Sequence, residues 1–179
     1  MGKGYIKNND PAKIDFINML TPLVKEGIAK RLGSFKDKDD LLAHVMLANM
    51  MTESGWGTEV TGNYNFFGIK EYNENKPRRF YPTPEVIKGV RGIYLEPFAE
   101  YEDPQQAVDS YLNLWFGERY NIGNWYKNTM KKKGKVTPDD VLEHIHSKGY
   151  FTEPLENYKK TINGVLNGKL FPRARMEHR

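Results

Sequence analysis

The chain has no cysteine among its 179 residues, so it forms no disulfide, no thiolate zinc site and no thiol nucleophile. That absence fixes no compartment, because many exported bacterial proteins also lack cysteine. No apolar run is long enough to span a bilayer, which argues against membrane insertion. The opening Met1-Gly2-Lys3-Gly4-Tyr5 passes into polar Asn8-Asn9-Asp10 before any leader-like stretch develops, so no signal peptide is expected. The four histidines, His44, His144, His146 and His178, make no His-Glu-x-x-His pattern, and His144-Ile145-His146 lacks evident partners. No metal and no cofactor are therefore expected. A Gly-x-Ser-x-Gly elbow, a phosphate loop, a dinucleotide fingerprint, internal repeats and low-complexity segments are all missing.

What is present suffices for a folded body. A content of 39% hydrophobic and 13% aromatic residues fits one domain over residues 1–179 with a real core. The net charge of +4 and a pI near 9.0 favour anionic partners, whether nucleic acid, a membrane surface or an acidic polymer, without choosing among them.

Helical periodicity runs through Ile14, Phe16, Ile17, Leu20, Leu23, Val24 and Ile28 and closes at Gly33. Pro22 falls inside that pattern, predicting two short helices or one bent helix. A second helix opens with Asp37 as N-cap and Asp40 three residues later, and runs to Glu53 or Ser54 before Gly55 and Gly57 stop it. From Asn65 to Tyr101 the period is lost, and β-leaning runs at 66–72, 79–87 and 90–101 predict a small β-lobe or long hairpin. Asp103-Pro104-Gln105-Gln106 and Thr137-Pro138-Asp139-Asp140 are helix starts, and Thr152-Glu153-Pro154 opens a last helix through Leu155, Tyr158, Ile162 and Leu166. The Lys131-Lys132-Lys133 run with Lys135 is expected to be a solvated turn, and the charged tail from Pro172 to Arg179 a frayed end.

Glu53 is the residue that points to chemistry. Leu42, Val45, Met46, Asn49, Met50 and Glu53 fall on one helical stripe, so a carboxylate shares a face with core-type residues at a helix C-terminus. Desolvation and the negative end of the helix dipole both raise its pKa, as a general acid near neutral pH requires. Cleaving a glycosidic bond takes such an acid and, in the usual case, a second carboxylate.

Glu53-Ser54-Gly55-Trp56-Gly57 followed by Asn65-Phe66-Phe67-Gly68-Ile69-Lys70 resembles the bacterial glucosaminidase family, glycoside hydrolase family 73, which includes autolysins, flagellar peptidoglycan hydrolases and phage lysins. Thr83-Pro84-Glu85-Val86 is similar to the family's Thr-x-Glu-Tyr hairpin motif, and Phe98-Ala99-Glu100-Tyr101 to its Phe-x-x-Tyr element. An Arg119-Tyr120 pair follows, and Gly149-Tyr150-Phe151-Thr152-Glu153-Pro154 resembles Gly-Tyr-Ala-Thr-Asp-Pro. The similarity extends from about Phe16 to about Leu166.

The resemblance implies an α+β, mainly α, lysozyme-like fold: a helical domain with a β-hairpin lobe, about 65–101, across a substrate groove. It implies an endo-β-N-acetylglucosaminidase that cuts the β-1,4 bond after N-acetylglucosamine in bacterial peptidoglycan, as a monomer acting on the cell wall from outside or from a phage. Glu53 is then the acid, Glu85 the candidate second carboxylate, and Tyr101 a phenol near the reacting acetamido group or water. The substrate's own N-acetyl oxygen is an alternative nucleophile. Trp56 and Phe67 are sugar platforms or packing residues, Asn65 orders the loop or contacts substrate, and Tyr120 and Tyr150 line the groove.

The chain departs from the pattern in places. Val86 replaces an aromatic, Ala99 and Glu100 replace positions that are often basic, Glu153 replaces an aspartate, and the tyrosine after Pro154 comes two positions late at Tyr158. Glu71, Glu74, Glu96, Glu100 and Glu102 are further acids of the lobe and read as solvated. The rival enzyme class is a lytic transglycosylase, which needs Glu53 alone. The rival outside enzymes is a glycan- or nucleic-acid-binding module.

Overall fold

The computed structural model describes residues 11–171. The start before Pro11, read above as free of a leader, and the tail from Pro172 lie outside the described residues. Among the described residues, six α-helices and one two-stranded antiparallel sheet follow in the order α1 (Pro11–Leu32), α2 (Leu41–Glu53), β1 (Arg78–Ile87), β2 (Val90–Ala99), α3 (Pro104–Phe116), α4 (Ile122–Lys133), α5 (Pro138–Ser147) and α6 (Leu155–Leu166). The mainly helical body with a β-lobe matches the expected lysozyme-like architecture. No helix among the described residues is long and apolar enough to cross a membrane.

α1 is one continuous helix, not two. Ile17, Leu20, Thr21, Val24, Ile28 and Leu32 are buried on one stripe that passes Pro22 without changing phase. Burying both halves in one core outweighs the roughly 3 kcal/mol that an interior proline costs. The α1–α3 crossing is close at Gly27, where a Cβ would sit 2.2 Å from a methyl of buried Leu112.

α2 is the axis of the body. It packs against α1, α5 and α6, and Leu42, Ala43 and all residues from Val45 to Met51 are buried. A helix apolar on every side belongs in the interior. Its start differs from the expected cap. Lys38–Asp40 form a short 3-10 turn, Asp39 and Asp40 take left-handed backbone, and the Asp37 carboxylate reaches past them to accept from the amides of Leu42 and Ala43 at 2.9 and 3.0 Å.

The other helix starts were legible. Asp103 accepts from the Gln106 amide, and Thr137 and Asp140 close a reciprocal capping box. α4 carries no such signal. The Lys131-Lys132-Lys133 run expected to be a turn is its last turn, closed by Gly134 at φ 72°. Cations there face the negative end of the helix dipole.

The β-lobe is the hairpin alone. The run 66–72 forms a loop that touches β2 through one isolated bridge, Lys70 with Phe98, because its side chains anchor the loop instead of alternating across a sheet. Lys88 and Gly89 make the two-residue connection with φ of 50° and 79°, the positive pair that matches strand twist. The register pairs Tyr81 with Glu96, Thr83 with Tyr94 and Glu85 with Gly92, so the side chains of Tyr81, Thr83, Glu85, Tyr94 and Glu96 share the inner face. On the opposite face Phe80, Ile93 and Leu95 are 51%, 72% and 69% exposed.

α2 ends in a tight reversal. Gly55, Trp56 and Gly57 all take positive φ, and Ser54, fully buried, accepts from the Gly57 amide through Oγ at 3.1 Å. Gly57 sits at φ 84°, where a Cβ would lie 2.7 Å from the Phe16 ring. Gly57→Ala therefore combines left-handed strain with a clash and should cost about 1–3 kcal/mol, read as a lower melting temperature in thermal denaturation.

Candidate active site

The helix end presents Glu53 where two cavities meet. One, of about 330 Å³, is lined by Glu53, Phe67, Gly68, Ile69, Lys70, Tyr111, Leu114, Tyr120 and Tyr150. The other, of about 470 Å³, is lined by Glu53, Thr58, Glu59, Val60, Thr61, Tyr81, Pro82, Thr83 and Phe98. Glu53 is the one residue in both, so a chain-like ligand lying through them passes over its carboxyl.

Glu53 is exposed at this junction, yet protein flanks its carboxyl. Burial of the group raises its pKa most, the Tyr158 hydroxyl at 3.4 Å lowers it, the charge of Glu153 raises it again, and the net direction is upward. The helix places the charge at its own negative end, which acts in the same direction. A proton held above the usual carboxylate range is available for transfer.

Behind the acid lies a buried polar cluster. Asn49, one turn earlier on α2 and fully buried, accepts from the hydroxyls of Tyr111 at 2.6 Å and Tyr150 at 2.9 Å, and donates through its amide nitrogen to Tyr158. Burial pushes the phenols of Tyr111, Tyr150 and Tyr158 upward, so all three stay protonated.

Among the residues singled out in the sequence, Phe67, Tyr120 and Tyr150 join Glu53 in the first cavity. Phe67 is buried and leans on Tyr111, with ring centroids 4.6 Å apart. Asn65 is fully buried. Its amide nitrogen donates to the carbonyls of Ile69 and Ala99 at 2.9 and 3.0 Å, and its oxygen accepts from the Ile69 amide at 3.0 Å. Those bonds clasp the 65–69 loop to the end of β2, which carries Lys70 into the cavity wall.

Trp56 lines neither cavity. It packs at the edge of the core with the Lys13 ammonium 5.3 Å from its ring centre. Tyr101 opens on a third cavity, of about 480 Å³, and donates to Ser110 Oγ at 2.8 Å. Burial raises its phenol pKa more than the Ser110 bond lowers it.

Glu85 lies on the inner face of the hairpin two residues beyond Thr83, roughly 7 Å further along the strand. Lys70 holds it at 2.6 Å and also reaches Glu96 at 3.3 Å. The charge of Lys70 stays on, its pKa raised by these two carboxylates against the opposing effect of burial. Glu59, which no sequence motif marks, is the second carboxylate in a cavity with Glu53. The helix-end reversal brings it back, its amide donating to the Ser54 carbonyl at 2.8 Å.

A glutamate with a raised pKa thus stands at the meeting point of two cavities, between a helical body and a hairpin. The chain belongs to the glucosaminidase family: the model described as mannosyl-glycoprotein endo-beta-N-acetylglucosaminidase matches residues 30–169. An autolysin of Enterococcus faecalis is 28% identical over 132 residues, 72% of this chain. The chain spans 17% of the length of that relative. Among solved structures, a peptidoglycan hydrolase from Sphingomonas sp. A1 superposes with a TM-score of 0.67 at 26% identity, covering 92% of this chain and 99% of that one. The catalytic domain of the autolysin Auto from Listeria monocytogenes shares the fold at a TM-score of 0.67 and 21% identity, over 90% of this chain and 87% of that one.

The raised pKa of Glu53 has a stability signature. Its contribution is fully present below the ordinary value near 4.5 and is lost as pH rises through the folded-state value. Glu53→Gln should therefore raise the melting temperature at pH 7 and leave it nearly unchanged at pH 4, as calorimetry at the two pH values would read.

Proposed function

We propose that the protein is a peptidoglycan hydrolase of endo-β-N-acetylglucosaminidase type, cleaving the β-1,4 bond after N-acetylglucosamine in bacterial cell wall. The observation that carries this reading is Glu53 at the junction of two cavities, with its carboxyl pKa raised. Family membership and the peptidoglycan hydrolases among its structural relatives support the substrate.

In this reading a glycan strand lies along the two cavities with its scissile oxygen at Glu53. Glu53 gives its proton to the leaving oxygen, and the carboxylate it becomes is stabilised by the Tyr158 hydroxyl. Glu85 is the second carboxylate, orienting the attacking water or the substrate's acetamido group. Its support is the strand register, since Tyr81 and Thr83 on the same face already line the cavity at Glu53. Phe67, Tyr120 and Tyr150 wall the sugar site. Tyr101 and Trp56 hold the helix-end and hairpin-base geometry rather than the sugar, as their separate surroundings suggest.

A lytic transglycosylase is the second reading, favoured by one observation: the Glu85 carboxylate is taken up by Lys70. The products separate the two. Digestion of purified walls should release reducing N-acetylglucosamine ends, and anhydromuramic ends would transfer the assignment to the transglycosylase. Wall clearance should fall at least about 100-fold in Glu53→Gln and about 10- to 100-fold in Glu85→Gln. Clearance by Glu53→Gln at the wild-type rate would remove the acid from the mechanism.

A further inference from the structure

We infer that Asn49 is a positioning residue that fixes the direction of a hydrogen-bond relay, Tyr111 and Tyr150 to Asn49 to Tyr158 to Glu53, and so determines which oxygen of Glu53 carries the transferable proton. The inference rests on Glu53 being the acid.

The direction follows from proton accounting. Both phenol protons of Tyr111 and Tyr150 converge on Asn49 Oδ1, at 2.6 and 2.9 Å. The amide therefore turns its Nδ2 toward Tyr158, whose oxygen accepts. A hydroxyl that accepts on that side sends its own proton elsewhere, and the acceptor in reach is Glu53 Oε1 at 3.4 Å. Flipping the amide would take the oxygen away from the two buried phenols and turn Tyr158 from Glu53 toward Asn49. Only the first orientation gives all three phenol protons an acceptor.

The chemical consequence is specific. An acid oxygen that carries a proton is a poor acceptor, so the neutral Glu53 holds its hydrogen on Oε2, while Oε1 stays with Tyr158. After transfer to the leaving oxygen, the same Tyr158 bond meets a full carboxylate and strengthens, so the relay favours the transition state over the resting acid. Asn49 is fully buried and its position in α2 is fixed by apolar neighbours, which keeps the relay from rotating.

Other charged and titratable groups surround Glu53. Glu153, just before α6, raises its pKa through charge, Glu59 and Lys70 stand on the cavity walls, and Tyr158 of α6 lowers it by donation. A relay effect must be separated from these, which a double-mutant cycle does.

The experiment is a carboxyl-carbon NMR titration of Glu53 in protein labelled at glutamate, with the resonance assigned by its loss in Glu53→Gln. Tyr158→Phe should move the Glu53 midpoint up by about one pH unit and shift the alkaline limb of kcat/KM with it. Asn49→Leu should move both in the same direction by about half as much, and Asn49→Ala serves in its place if the leucine variant does not fold. In the Tyr158→Phe background the Asn49 substitution should add nothing. An unmoved midpoint in Tyr158→Phe, or an Asn49 shift that adds in full to it, would overturn the relay. Wall clearance by Glu53→Gln tests the acid separately, so the relay and the assignment of the acid fail by different measurements.

Discussion

The burial of α2 on every side is the constraint from which the site follows. A helix whose neighbours leave no room to slide or rotate carries its last residue to a fixed place, and that residue is Glu53. The apolar length of the helix removes water from the carboxyl's near side, and its open end leaves the far side to a ligand. Core packing and acid strength are thus two results of one arrangement. The one polar residue in the buried stretch from Val45 to Met51, Asn49, is satisfied by tyrosines drawn from α3, from the segment before α6 and from α6 itself. Such a network locks three separate pieces of chain to the helix, since each loses a hydrogen bond if it moves.

Two loops translate that fixed point into a cleft. The reversal through Gly55, Trp56 and Gly57 turns the chain off the helix axis within three residues, which clears space in front of Glu53 and returns Glu59 beside it. The 65–69 loop, clasped by Asn65, closes the other flank and sets Lys70 between the body and the hairpin. Lys70 faces two carboxylates of the sheet while all three groups keep some contact with solvent, so the attraction is that of a partly screened cluster. The hairpin is attached to the cleft through that ammonium and through the buried Pro97–Ala99 segment at its base.

The parts of this arrangement written locally were legible in the sequence. Helix caps with Asp103 and Thr137, the stripe ending at Glu53 and the glycine-rich helix end each depend on neighbours within a few residues. α4 was missed because its buried positions, Ile122, Gly123 and Tyr126, are too few to make a stripe, while its lysines suggested solvent. Pro22 left two short helices or one bent helix open, and tertiary burial of both halves selects the single helix. What the residues Glu59, Lys70 and Asn49 do was not legible, since each works through partners that only the folded chain brings near. The same holds for Tyr101, whose hydroxyl is engaged by Ser110 from the following helix. Polarity and motif position identify candidates; which cavity they enter is a property of the fold.

The hairpin turns its polar side toward the cleft and leaves Phe80, Ile93 and Leu95 in water. Hydrophobic burial therefore adds little to hold its outer two-thirds in place, and a lone pair of strands is at best marginal in water. That makes the lobe a compliant wall beside a stiff one: the helical side keeps Glu53 in register, and the sheet side yields at low cost. A cleft with one unyielding jaw can take ligands of uneven width without losing register at the helix end.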